Sequence, residues 1–439
     1  MPAVLIESSD LFRCRIEPVA RHSFILSKGS AYALQCEAPF PPRPDGRGIH
    51  GEIPMTVTQP PPTPDAPSAS AGAGISVGSD QGTSLLLSGS EAVARASIDA
   101  GCRFFAGYPM SPFTNLLESF SKLMRGPERV CVAAESEIEG ANMAIGAAAT
   151  GARAATGSCG QGLALMQEAI AESALNETPL VFFNMARSQQ DYFQATRGGG
   201  WGDYRTIALA PKDVHEAIEH THLLFHLADL YRVPTLFYGD HFIAHTEVGV
   251  TPHVPDLGPL PPKDWALDGR AGGSGRSKLH WTWNMGKVLD PGPGPDAHWR
   301  AVAAKFDEIR RLERRWEVDH PNADVMVVSF GTAAGFVEHV ARELRAEGLS
   351  IGTFRPITLW PFPEEALAEA TEDSRHVLVF EVNAGQMVDD VRLSVGDRSK
   401  IRSIGGISAD ESGLRYGALL DVPAVRARIL AATGLEAAR

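Results

Sequence analysis

From residue 84 onward the chain repeats one pattern, and it admits few folds. Short apolar runs bounded by Gly and Pro alternate with stretches carrying helical spacing. SLLLSG precedes EAVARASIDAG, CRFFAGYP precedes SPFTNLLESFSKLM, RVCVAA precedes EIEGANMAIGAAAT, ARAAT precedes GLALMQEAIAESAL, and PLVFFN follows. Runs of this length suit strands buried on both faces, which parallel sheets contain. In residues 213–230, Val214, Ile218, Thr221, Phe225 and Ala228 recur at three- and four-residue steps, so a helix is expected before the strand TLFYGD. Residues 84–245 therefore read as a doubly wound α/β domain.

The flanking segments read differently. Residues 1–56 show no periodicity. Residues 57–83 are rich in Pro, Ala, Ser and Gly and poor in bulky apolar residues, so they cannot offset their ordering entropy. Residues 57–83 are thus expected to be a linker, and residues 1–56 either a small accessory segment or an upstream start-site extension. Residues 246–321 read as a bridge, Pro- and Gly-rich at first and helical over AHWRAVAAKFDEIRRLERRWEVDH. A second, smaller α/β unit follows over 322–439. In it ADVMVVSFG, SIGTFRPITLWPFP and HVLVFEVNAG read as strands, with SIGTFRPITLWPFP running into a Pro-rich turn. TAAGFVEHVARELRAEG and QMVDDVRLSVG read as helices. Two α/β units suit a chain of 439 residues.

Charge and cysteine usage narrow the function classes. Forty basic against 53 acidic residues give a net charge of −13, a poor match to a nucleic-acid backbone. Cys14, Cys36, Cys102, Cys131 and Cys159 are widely spaced and form no C-x-x-C. A disulfide framework, a zinc site or an iron–sulfur cluster held by this chain alone is not expected. No apolar run reaches the length of a membrane span and no signal-peptide h-region opens the chain, so a soluble cytoplasmic protein is expected.

Three windows fall after strands, where open α/β sheets place their ligands. GSCGQG (157–162) could bring backbone N–H groups to a ligand, although glycines in such a turn also serve tight packing. GYPMSP (107–112) has two stiffening prolines and the Ser111 hydroxyl, and on this window alone a proline-rich helix start with Ser111 as its cap is the favoured reading. AESEIEG (134–140) carries Glu135, Glu137 and Glu139, which could simply complement a helix dipole and cannot all face one groove. No phosphate-binding P-loop, H-E-x-x-H or G-x-S-x-G constellation is present.

Taken in order, GYPMSP, AESEIEG, GSCGQGLALMQE and SQQDYFQATRGGGWGDYR resemble the α subunit of thiamin-diphosphate-dependent 2-oxoacid:ferredoxin oxidoreductases, as do FRPITLWPFP and VNAGQMVDDVRLSV. DYFQAT with the glycine triplet and GDYR looks closest to the branched-chain (2-oxoisovalerate, or 3-methyl-2-oxobutanoate) type. The resemblance spans roughly residues 84–439 and leaves 1–83 uncovered. It implies a pyrimidine-type thiamin-diphosphate-binding domain followed by a transketolase-C-terminal-like domain. The implied reaction is oxidative decarboxylation of a 2-oxoacid, with electrons passing through iron–sulfur clusters to ferredoxin and the acyl group to coenzyme A.

The resemblance also implies residue roles. A glutamate at the position of Glu137 hydrogen-bonds the aminopyrimidine ring of thiamin diphosphate. It favours the tautomer that takes the proton from thiazolium C2, so Glu137 should be desolvated despite its place at a helix N-terminus. Pro109 should pack on the pyrimidine. Ser111, where the family usually has threonine, should hydrogen-bond the substrate carboxylate. Arg187 should pair with the same carboxylate, for which a guanidinium is suited; the bland alternative is a surface ion pair at a strand end. Glu135 and Glu139 are expected to be structural or solvent-facing. No G-D-G…N-N pattern holds a Mg²⁺–diphosphate. A partner β subunit is therefore expected to bring that half, the Mg²⁺ and a cluster, with γ and ferredoxin-like δ subunits as further implied partners. Relatives carry a glycine-rich insert where Arg187 here leads straight into SQQDYF, which bears on pocket size and coenzyme A access. Two alternatives stay open. One is the same reaction on 2-oxoglutarate or an aryl 2-oxoacid, with Arg197 or Arg205 meeting a distal carboxylate. The other is a non-catalytic assembly or regulatory subunit.

Overall fold

The computed structural model describes residues 84–251, 253–267, 294–410, 413–416 and 420–434. The expected extension and linker over 1–83, Cys14 and Cys36, and much of the Gly-rich part of the bridge lie outside them.

The chain opens with β1 (Leu85–Ser88) and α1 (Gly89–Asp99). It then alternates through β2 (Cys102–Gly107), α2 (Phe113–Leu123), β3 (Val130–Ala133), α3 (Glu137–Ala149) and β4 (Arg153–Ser158). Helices α4 (Gln161–Leu165) and α5 (Gln167–Leu175) lead to β5 (Leu180–Ala186), followed by a 3₁₀ turn at Gln189–Asp191 and α6 (Tyr192–Thr196). Then come β6 (Ile207–Leu209), α7 (Val214–Tyr231), β7 (Pro234–Asp240), α8 (His241–His245) and β8 (Glu247–Val250). Strands β2 to β7 form a parallel sheet in the order β6-β7-β5-β4-β2-β3. All seven residues of central β5 are buried, as a strand covered on both faces requires.

The chain steps outward from β2 to β3 and then returns to place β4 on the other side of β2. That reversal is a topological switch point, where the loops after neighbouring strands diverge and leave a crevice. One face of the sheet packs α1, α2 and α7 through Phe105, Phe120, Phe183, Phe225 and Phe237. Helix α2 presents Phe113, Leu116, Leu117 and Phe120 to it at helical spacing; each such burial contributes roughly 1.5–3 kcal/mol. The other face packs α3 and α5 on small residues, among them Ala141, Ala144, Ala148 and Ala174, so these helices lie close to the strands.

The second unit begins after α9 (Gly294–Leu312) with β9 (Trp316–Asp319), β10 (Val325–Val328), α10 (Thr332–Ala346), β11 (Ile351–Pro356) and β12 (Thr358–Trp360). It continues through α11 (Glu364–Ala370), β13 (His376–Val379), α12 (Met387–Ser394), β14 (Ile401–Ser403), the β15–β16 ribbon (Ile407–Asp410, Gly413–Tyr416) and α13 (Val422–Thr433). Its sheet runs β14-β13-β10-β11-β9, parallel except for β9.

The structure differs from the sequence reading in four places. SLLLSG is not the first strand of the main sheet; β1 pairs antiparallel with β8, so the first unit runs past residue 245. RWEVDH is not the end of a helix but contains β9. SIGTFRPITLW is two strands, not one: β11 stays in the second sheet while β12 crosses to pair antiparallel with β6 on the edge of the first. The bridging helix α9 is no loose connection. Its Val302, Phe306 and Ile309 are buried in a core shared with Met326, Val328 and Phe330 of the second unit.

Candidate active site

The switch-point crevice gathers the predicted residues from three strand ends. Glu137 is the first residue of α3, whose Ser136 cap accepts the Glu139 N–H. Although an N-terminal glutamate would ordinarily face water, Glu137 is only 4% exposed. The buried Ser158 hydroxyl, at the end of β4, donates to its Oε1 at 3.1 Å. Gly162 passes over the same oxygen, where an added Cβ would lie 2.3 Å from Glu137 Oε1 and 2.0 Å from Ser158 Oγ. Only glycine fits there. Glu135 and Glu139 are exposed, as expected.

Ser111 and Arg187 meet on the rim. Arg187, just past β5, donates Nε to the Ser111 carbonyl at 2.9 Å and Nη1 to Gln161 Oε1 at 3.3 Å. The surface ion pair is not what the structure shows: among the described residues no carboxylate lies in salt-bridge range of Arg187, and its contacts are neutral oxygens within the crevice. Two of its three nitrogens are thereby engaged, Nε and Nη1. Ser111 is exposed and does not cap α2, whose N-cap is Pro112 without a side-chain bond. Its carbonyl also accepts from the buried thiol of Cys159 at 3.3 Å, and burial pushes that thiol's pKa up. Pro109 and Tyr108 are exposed beside them.

Sequence reasoning did not single out Ser158, Gln161 or Asp191. The first two sit inside the GSCGQG window, valued only for its glycines. Asp191 lies in the SQQDYF run and returns to the crevice, where its buried carboxylate accepts from Gly160 N at 3.1 Å and Asn184 Nδ2 at 3.2 Å. Burial pushes its pKa up, while those two bonds and nearby Arg187 oppose the shift.

The remaining family-like strings join the two units. Gln189 donates to the Phe330 carbonyl and accepts from Val382 N, and Asn383 donates to the Gln189 carbonyl. Tyr192 Oη donates to Asp390 Oδ2 at 2.7 Å, and Arg197 pairs with Asp390 Oδ1 at 2.8 Å. SQQDYFQATR and VNAGQMVDD are thus two sides of one seam. The glycine triplet wraps the Tyr204 hydroxyl, which accepts from Gly199 N and Gly200 N. Arg197 is committed to Asp390, and Arg205 donates to the Tyr204 carbonyl.

These residues fit the aminopyrimidine half of thiamin diphosphate: a desolvated carboxyl held by one hydroxyl and kept clear by a missing Cβ. Among the described residues no group of three or more His, Cys, Asp or Glu could hold a metal ion, and no helix is long and apolar enough to cross a membrane.

Comparison with known proteins gives the same direction. Residues 95–258 match the thiamine-diphosphate-binding domain of pyruvate flavodoxin/ferredoxin oxidoreductases, and residues 323–413 match core domain II of pyruvate:ferredoxin oxidoreductase. The 2-oxoglutarate synthase subunit KorA of Methanothermobacter thermautotrophicus is 36% identical, over 71% of this chain and 91% of its own length. The ketoisovalerate oxidoreductase subunit VorB of the same organism is 30% identical, over 71% of this chain and 90% of its own. Among solved structures, the 2-oxoglutarate:ferredoxin oxidoreductase of Magnetococcus marinus, with 2-oxoglutarate, coenzyme A and succinyl-CoA bound, aligns with a TM-score of 0.64 at 25% identity. That alignment covers 73% of this chain and 62% of that one.

Proposed function

The chain belongs to the 2-oxoacid:ferredoxin oxidoreductases, whose subunits catalyse oxidative decarboxylation as complexes, and from that premise we propose that it carries the pyrimidine half of a shared thiamin-diphosphate site. The carrying observation is the buried Glu137 carboxyl, held at Oε1 by Ser158. Ser158 leaves Oε2 for a proton shared with the aminopyrimidine ring nitrogen. Arg187 Nη2 and the Ser111 hydroxyl hold the carboxylate of the 2-oxoacid, and Pro109 packs against the pyrimidine. When bound, thiamin diphosphate supplies the electron sink for decarboxylation.

The second half belongs to a partner. A β subunit supplies the diphosphate-binding groups, Mg²⁺ and an iron–sulfur cluster, γ and δ chains complete the assembly, and coenzyme A and ferredoxin take the products. Helix α3, which starts at Glu137, leaves Ile138 and Met143 exposed at 49% and 44%, and such exposed apolar side chains suit a subunit contact. Alone, the chain is expected to turn over no 2-oxoacid.

For the substrate side chain, 2-oxoglutarate comes first, because the 2-oxoglutarate synthase subunits are 33% and 36% identical against 30% for the ketoisovalerate subunit. The branched-chain reading is second. It is favoured by Arg197 and Arg205, the guanidiniums suited to a distal carboxylate, being engaged by Asp390 and the Tyr204 carbonyl. Turnover of the assembled complex on 2-oxoglutarate, 2-oxoisovalerate and an aryl 2-oxoacid, with coenzyme A and a ferredoxin, decides between them. Faster turnover of 2-oxoglutarate is expected; faster turnover of 2-oxoisovalerate would reverse the order, and turnover of none would overturn the reading.

A further inference from the structure

We propose that Asp191 is a positioning residue that holds the 158–162 loop in the geometry its contacts with Glu137 and Arg187 require. The inference rests on the functional reading above and extends it to a residue that reaches the site through the loop. Within that loop, Ser158 Oγ holds Glu137, Cys159 Sγ reaches the Ser111 carbonyl, Gln161 Oε1 takes Arg187, and Gly162 passes over Glu137 Oε1. At its centre Gly160 turns with φ of +52°, a conformation that favours glycine and does not continue either flanking element. One oxygen of Asp191 fastens that turn by accepting the Gly160 N–H.

The surroundings of Asp191 point to positioning rather than stability. Asn184, wholly buried within β5, spends its amide N–H on the same Asp191 oxygen, while its own Oδ1 is buried with no hydrogen-bond partner among the described residues. An unmet buried acceptor weakens the fold, so an arrangement chosen only for stability would not place it there. The next residue, Tyr192, is fixed by Asp390 across the seam, and Gln189 by Phe330 and Val382. The turn bearing Asp191 is therefore held from the second unit, and through Asp191 that rigidity reaches the loop.

Asp191→Asn is isosteric and keeps the single oxygen that accepts both N–H groups; Asp191→Ala keeps neither bond. In the assembled complex, Asp191→Ala is expected to lower kcat/KM by about a hundredfold, the scale of a misplaced catalytic group, while Asp191→Asn stays within about threefold. In the full-length chain by itself, amide hydrogen exchange of residues 159–162 should accelerate in Asp191→Ala, with β5 and β7 unchanged. If Asp191→Ala does not accumulate folded, Asn184→Ala carries the same test through the lost orienting bond, with faster loop exchange expected. Wild-type loop exchange with wild-type kcat/KM in the folded alanine variants would overturn the proposal, as would a loss in Asp191→Asn equal to that in Asp191→Ala. If the wild-type complex turned over no 2-oxoacid, the functional reading would fail, and the exchange result would still decide whether Asp191 anchors the loop.

Discussion

At the scale of single residues, the site depends on how closely backbone and carboxyl approach. Gly162 is the clearest case, because an added Cβ would lie 2.0 Å from Ser158 Oγ and 2.3 Å from Glu137 Oε1. Gly162→Ala must therefore push Glu137 or the loop aside. Overpacking of this kind costs about 1–3 kcal/mol, so the variant should fold, while thiamin diphosphate affinity in the complex falls by about tenfold or more. Calorimetric titration with the cofactor checks it, and undiminished affinity would mean that the Glu137 pocket tolerates the methyl group. The sequence windows pointed to Ser111, Glu137 and Arg187 at strand ends, and the structure brings Ser111 and Arg187 into contact and buries Glu137. Ser158 and Asp191 were not legible in the sequence. A serine after a strand and an aspartate before an aromatic are common, and what distinguishes them is tertiary: one meets a glutamate 21 residues away and the other a glycine 31 residues away.

At the scale of elements, local period identified most strands and helices but could not assign strands to sheets. SLLLSG has the apolar content of a buried strand, and nothing within it tells a two-stranded ribbon from the main sheet. In RWEVDH, Trp316 and Val318 alternate with charges over too few residues to stand out from the charged helix before them. FRPITLW changes sheet within three residues, Pro356–Thr358. Arg355 explains why that crossing is stable. Only 2% exposed, it donates to both oxygens of Glu216, on α7 of the first unit, and to Glu317 on β9. Arg355→Ala would leave Glu216 and the half-exposed Glu317 with Lys212 as their remaining cation, a loss of up to about 3 kcal/mol in denaturant titrations at neutral pH. Burial pushes Glu317 up, but Arg355 and Lys212 outweigh it and hold its pKa below the usual 4.5. A depressed carboxylate stabilises the fold above its unfolded pKa, and that contribution is lost as pH falls below about 4.5 through the folded value. The variant should therefore show a shallower acid dependence than the wild type, and parallel curves would mean that the pair does not couple the units.

At the scale of the whole molecule, two units that read as separate domains share a core and a sheet edge. The strings most characteristic of the family divide between two tasks. GYPMSP, AESEIEG and GSCGQG converge on the crevice, whereas DYFQATR and VNAGQMVDD fasten one unit to the other. The central claim is that Glu137 serves a cofactor completed by another subunit, and one substitution tests it most directly. In the complex assembled with its partner subunits, Glu137→Gln keeps the shape of the site but removes the shared proton. Intact assembly is expected, with turnover of the 2-oxoacid reduced by about a thousandfold or more. Turnover equal to the wild type in that assembled variant would contradict the claim and make this chain a structural subunit.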